Sequence, residues 1–98
     1  MEYEVEQLDA FITWFDNLID ARAKHRIRAR IERAKGGNFG DWSAEGGKVR
    51  AMVIDYGPGY RLYYTIHGKK IIILLCGGDK STQQADIKTA HKLVKEID

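Results

Sequence analysis

The sequence predicts an α+β fold: a small, mainly antiparallel sheet packed by helices, in the order β-α-α-β-β-β-α. Three observations predict it. Apolar residues recur at helical spacing over 8–19, 23–34 and 87–97. Three β-branched and aromatic runs lie between the second and third of these segments, separated by short glycine turns. The 98 residues, 44% of them hydrophobic, suit one domain spanning 1–98.

Tyr3–Glu6 alternates and reads as a short strand with Tyr3 and Val5 on one face. Leu8, Phe11, Ile12, Phe15, Leu18 and Ile19 then form the stripe of an amphipathic helix. Trp14 lies beside that stripe, either over the edge of the core or toward a partner. Asp20 is placed to cap a second helix, whose apolar stripe is Ala23, Ile27, Ile31 and Ala34. Arg22, Arg26, Arg30 and Arg33 form another stripe next to it. So short a link makes the two helices an antiparallel hairpin. Gly36-Gly37 ends the second helix. Residues 38–47 read as a polar, glycine-rich loop anchored by Phe39 and Trp42.

Val49–Tyr56 is the next expected strand. Pro58 fixes φ for the first central position of the following turn, and Gly59 takes positive φ at the next. The chain returns as Tyr60–Ile66. Alternation places Leu62, Tyr64 and Ile66 on a core face, and Arg61, Tyr63 and Thr65 on the opposite, open face. After His67-Gly68, the run Lys70–Cys76 is apolar almost throughout, which predicts a central strand covered on both faces. Ser81 or Thr82 caps the last helix, with Ile87, Ala90, Leu93, Val94 and Ile97 on its apolar side. The helices are expected against one side of the sheet.

The net charge of +2 conceals a polarity. Residues 1–20 hold six acids (Glu2, Glu4, Glu6, Asp9, Asp16, Asp20) and no lysine or arginine. Residues 21–35 hold seven bases (Arg22, Lys24, Arg26, Arg28, Arg30, Arg33, Lys35) against Glu32. Either an anionic partner or a solvated helix face accounts for this. No apolar run approaches the roughly 20 residues of a membrane helix, and the acidic, alternating start is unlike a secretory signal. The single cysteine, Cys76, fits a reducing cytoplasm and reads as a small buried hydrophobe.

His25, His67 and His91 have no ligand partners at metal-site spacing, so neither metal nor cofactor is expected. No nucleophile-elbow pattern is present. The spacing in Gly77-Gly78-Asp79-Lys80-Ser81 is wrong for a phosphate loop, and Asp79 would repel phosphate. Cationic chemistry remains. Lys48, Arg50, Arg61 and Lys80 are expected to converge on one sheet face. There they would bind an RNA backbone and stabilise the charge that develops when a ribose 2′-hydroxyl attacks the adjacent phosphate. Arginine is suited to grip such a phosphate through two parallel hydrogen bonds. Tyr63 would stack on a base or orient the phosphate. Taken by itself, Arg61 also reads as a solvated strand arginine.

Several segments together carry a family resemblance: Gly37-Asn38-Phe39-Gly40-Asp41; Gly57-Pro58-Gly59-Tyr60-Arg61-Leu62-Tyr63-Tyr64; Leu74-Leu75-Cys76-Gly77-Gly78-Asp79-Lys80-Ser81-Thr82-Gln83; and Asp86-Ile87 with Ala90. With these the chain resembles the RelE/ParE superfamily of bacterial toxins over nearly its whole length, and more closely its HigB-like "addiction module killer protein" branch. The resemblance implies the toxin of a type II toxin–antitoxin system. Such a protein would be a cytoplasmic, metal-independent, ribosome-dependent messenger RNA endoribonuclease that inhibits translation. It implies catalytic roles for Arg61, at the scissile phosphate, and Lys80, the basic residue after the last strand. Lys48, Arg50 and Tyr63 would bind RNA. One departure stands out. RelE has a functional tyrosine in its last helix, whereas this chain has no tyrosine after Tyr64, and His91 is the aromatic, proton-transferring side chain there. The resemblance also implies a cognate antitoxin, often a small helix-turn-helix protein, touching the acidic first helix, the arginine-rich second helix or Trp14. Two other functions share the resemblance: a ParE-like inhibitor that binds DNA gyrase, and a non-toxic relic that only binds an antitoxin.

Overall fold

The computed structural model describes residues 2–98. The elements are β1 (Glu4–Gln7), α1 (Asp9–Asp16), α2 (Ala21–Lys35), β2 (Trp42–Ala44), β3 (Arg50–Ile54), β4 (Tyr60–His67), β5 (Ile71–Gly78) and α3 (Gln83–Ile97). A 3₁₀ turn, Lys80–Thr82, leads into α3. The sheet runs β1-β5-β4-β3-β2, with β1 parallel to β5 and every other pairing antiparallel. The α+β class and the meander β3-β4-β5 agree with expectation. The segment expected as loop holds a fifth strand, β2. Its three residues are too few to show an alternating pattern, and pairing with β3 is what creates it.

The helices lie on both sides of the sheet, not on one. Phe11 of α1 and Ala23, Ile27 and Ala34 of α2 pack with Met52, Leu62, Tyr64, Ile72 and Leu74. Ala90 and Val94 of α3 pack on the other face with Ala51, Tyr63, Ile73, Leu75 and Cys76. The reason lies in β5. It sits between β1 and β4, and its apolar run exposes hydrophobic surface in both directions, so each face needs a cover. A bulge adds to this. Tyr63 pairs with Cys76 but Tyr64 with Leu74, so Leu75 is the extra residue, and Leu75 and Cys76 both join the α3 side.

α1 stops at Asp16, short of the apolar stripe's end. Leu18 is half-buried, while Ile19 is 99% exposed. Asp20 caps α2 as expected, its Oδ1 accepting from the Arg22 and Ala23 amides at 2.9 and 3.2 Å. Trp14 covers the edge of the core, edge-on to Tyr60 with ring centroids 6.1 Å apart. At the hairpin β4–β5, Gly68 and Lys69 both take positive φ, 61° and 70°. This matches the primed turn that strand twist favours.

Gly77 and Gly78 close the strand. A Cβ on Gly77 would overlap the Trp14 indole on one face, and a Cβ on Gly78 would overlap the Asp86 carboxylate on the other. Both positions serve close approach across the sheet rather than turning. Gly77→Ala is therefore expected to destabilise by about 1–3 kcal/mol, lowering Tm by roughly 4 °C or more. Gly36→Ala is the control: φ there is −82° and a Cβ would meet only Arg33 O, at 3.5 Å. Thermal melts of the two variants check this, Gly36→Ala melting at or above the parent.

Candidate functional site

The turn Gly57–Gly59 carries the site. Gly57 and Gly59 take φ of 56° and 80°, a conformation open to glycine at little cost. Arg61, two residues into β4, folds back and donates from Nη1 to Gly59 O at 2.8 Å. Arg61 lies opposite Gly78 in the ladder, so the chain leaving β5 passes beside it. The Lys80 amide donates to Pro58 O at 3.4 Å. Gly59 is the meeting point. A Cβ there would lie 3.4 Å from Arg61 Nη1 and 3.6 Å from Lys80 Cβ. Arg61 is half-buried and Lys80 exposed. One nitrogen of the guanidinium is held by the turn, which fixes its orientation and leaves the rest of the fork for a ligand.

Asp79 belongs to the same corner. Its Oδ1 accepts from the Ser81 amide at 2.8 Å and from the Ser81 hydroxyl. These bonds hold its carboxyl below the usual range, with the charge of Arg61 adding to the effect. It is therefore an anion beside the Arg61 cation. It tempers the field of Arg61 and fixes the loop that carries Lys80. Its motif was visible in the sequence; its place next to Arg61 follows from pairing β4 with β5. A similar anchor acts one turn later, where Thr82 Oγ1 donates to Asp86 Oδ2 at 2.6 Å above Gly78.

The expected convergence of four cations contracts to two. Arg50 pairs with Tyr64, whereas Arg61 alternates with Leu62 and shares the Tyr63 side, so Arg50 and Arg61 point to opposite faces. Arg50 lies over the exposed Trp42 ring, 5.0 Å from its centroid. Lys48 pairs with Asp98 at 3.2 Å, at the far end of α3 from Lys80. The 15 residues of α3 separate these ends by about 22 Å. Strand alternation and loop length decide both outcomes, and neither can be read from charge alone.

Tyr63 is corrected most sharply. Expected on an open face, it is 0% exposed beneath α3, so no base can reach its ring. Its hydroxyl, like that of Tyr64, has no hydrogen-bond partner. Thr65 is buried with it. His91 is likewise occupied: its Nε2 lies 2.8 Å from Glu45 O and close to Gly46, pinning the β2–β3 loop to α3. Arg30 is structural. Its guanidinium donates to three carbonyls, Val53, Phe39 and Asp41, and joins the loop 39–41 to β3. Among the described residues, no three His, Cys, Asp or Glu side chains are grouped to hold a metal ion. No helix among them is long and apolar enough to cross a membrane.

The molecule is thus a mixed-sheet α+β domain with an arginine–lysine corner at one end of its sheet. No protein-family model matches the chain. It is similar to an uncharacterized protein of Haemophilus influenzae, 42% identical over 97 residues that cover 99% of this chain and 98% of that one. The chain belongs to the same family as that protein.

Burial raises Tyr63, Tyr64 and Cys76 each to about 12. Desolvation leads in all three, and the Asp86 carboxylate adds to it at Tyr63 and Cys76. Unfolded, these groups ionise near 10 for tyrosine and about 8.5 for cysteine. The folded state thus holds extra protons between those values and 12. Its stability is full below about pH 8.5 and falls as pH rises toward about 12. Tyr63→Phe removes one such proton and a buried hydroxyl without a partner. It is expected to melt at or above the parent at pH 7 and to lose less stability between pH 9 and 11. Denaturant titrations at both pH values check this.

Proposed function

We propose that this chain is the toxin of a type II toxin–antitoxin system, of the RelE/ParE superfamily and its HigB-like branch. In this reading it cuts messenger RNA on the ribosome without a metal and is neutralised by a cognate antitoxin. The observation that carries it is the meeting of Arg61 and Lys80 at Gly59, the two positions to which the family resemblance assigns catalysis.

The chemistry needs little more from the protein. A ribose 2′-oxygen attacks the neighbouring phosphorus and loses its proton. The bond to the 5′-oxygen of the next nucleotide breaks, and that oxygen takes up a proton. A 2′,3′-cyclic phosphate and a 5′-hydroxyl result. The phosphate carries additional negative charge midway. Arg61, already oriented by the Gly59 carbonyl, stabilises the non-bridging oxygens, and Lys80 supplies a second, mobile positive charge. Tyr63 has no part in this, being enclosed. Lys48 and Arg50, directed elsewhere, contribute to binding a large target rather than to the reacting phosphate. Asp79 is a titratable side chain placed beside Arg61.

A second reading is favoured by the contraction of the cationic cluster. A ParE-like protein that inhibits gyrase by binding needs no catalytic set, and two cations beside an aspartate are a small one. The test is induction of the wild-type chain and of Arg61→Ala in a bacterium without the antitoxin, with messenger RNA 5′ ends mapped minutes later. New in-frame ends within translated regions are expected, reduced about 100-fold or more in Arg61→Ala, while the variant keeps the parent's melting temperature. Growth arrest with intact transcripts would move the assignment to gyrase. Unimpaired growth would leave a chain that only binds.

A further inference from the structure

The outer face of α3 holds a feature that the Arg61 corner does not use. Ala90 and Val94, with the half-buried Ile87, Leu93 and Ile97, point into the core, which turns the opposite side of the helix to water. That side carries Lys88, Lys92 and Lys95, spaced i, i+4 and i+7 and all exposed. The three rise about 10 Å along the helix axis. An open groove of about 540 Å³, lined by Lys80, Ser81, Thr82, Gln83, Gln84 and Ala85, joins Lys80 of the corner to this stripe. None of its lining side chains is acidic.

The charge along this stripe is unanswered. Among the described residues, no ion pair holds Lys80, Lys88, Lys92 or Lys95. The nearby acids are engaged or poorly placed. Asp79 and Asp86 accept from Ser81 and Thr82, and Asp98 pairs with Lys48. Glu96 follows Lys92 by four residues, the weaker orientation for such a pair. Lys88 and Lys92 stand four apart with like charge, and Lys92 and Lys95 three apart, which costs the helix stability. A helix face that only meets water alternates its signs instead.

We infer that the outer face of α3 is a track for the phosphate backbone of double-helical RNA, leading to the Arg61–Lys80 corner. The chemistry of the face selects that occupant. Lysine is a mobile point charge that meets phosphates without reading bases. A protein partner would need a buried apolar anchor, and no apolar side chain larger than Ala85 stands on this face. A membrane surface would need the apolar side of the helix, which is packed on the sheet. A single strand is held by stacking on aromatic rings, whereas the one ring of α3, His91, is bonded to Glu45 O. Duplex RNA, by contrast, is bound through its backbone and its shape. The choice of RNA over DNA rests on the proposed function; the stripe itself does not depend on whether Arg61 cuts.

The test is fluorescence anisotropy over a salt series. The probes are a labelled RNA hairpin of about 16 base pairs, a DNA duplex of the same sequence, and a single-stranded oligouridine of equal length. Every chain carries Arg61→Ala, so no RNA is cut, and failure of this inference shows separately from failure of the nuclease reading. Adding Lys88→Gln/Lys92→Gln/Lys95→Gln should weaken hairpin binding about tenfold or more and flatten the slope of log affinity against log salt by about 2–3. Arginine at the same three positions should restore both. Arg22→Gln/Arg33→Gln/Lys70→Gln removes as much charge from exposed positions elsewhere and should change the slope by less than about 1. The α3 glutamine variant should melt at or above its parent, because it relieves the like-charge neighbours; its weak binding is then not unfolding. An unchanged slope in that variant, an equal fall in the control, or tighter binding of oligouridine or of the DNA duplex than of the hairpin would overturn the proposal.

Discussion

The end of β5 is pressed between two helices, and the rest of the molecule depends on that approach. Trp14 of α1 lies against Gly77 on one face, and Asp86 of α3 lies against Gly78 on the other. A side chain at either position would force a helix away from the sheet. The apolar surface of Ile72–Leu75 would then be covered on one face only. The strand that most needs burial is thus the strand whose last two residues have nothing to bury.

The same approach builds the Arg61–Lys80 corner. Because α3 sits close above Gly78, the turn before it is short and its position is set by Asp79 and by the Thr82–Asp86 bond. Lys80 is delivered beside the β3–β4 turn, where Gly59 leaves room for it and for Arg61. The closeness of α3 also removes Tyr63 from the surface. One packing event therefore gathers two of the proposed site residues and withdraws a third.

The fold was legible in the sequence to the extent that its elements carry periodic patterns. The helix stripes, the Asp20 cap, the positive φ of Gly59 and the double-sided burial of β5 all express local rules. β2 did not, because three residues hold no period. The open face expected for Tyr63 failed for another reason. An aromatic beside an arginine and a threonine has the same alternation whether a helix covers that face or water does. Only the long-range placement of α3 distinguishes them, and that follows from the needs of β5, not of β4. The cation cluster failed similarly. Lys48, Arg50, Arg61 and Lys80 are close in the topology, yet strand parity turns Arg50 to one face and Arg61 to the other, and α3 holds Lys48 and Lys80 apart.

The basic residues consequently divide among separate tasks. Arg30 is a strut spent on backbone carbonyls. Arg26, Arg28 and Arg50 lie over Tyr56, Phe15 and Trp42. Arg61 is tied to its own turn. The arginine stripe of α2 and the Arg61 corner lie on opposite sides of the sheet, and the turn Gly57–Gly59 stands between them. Tyr56, just before the turn, carries the Arg26 stack, and Gly59, at its end, carries Arg61. The glycines at both ends of that turn are what let it adopt its positive φ.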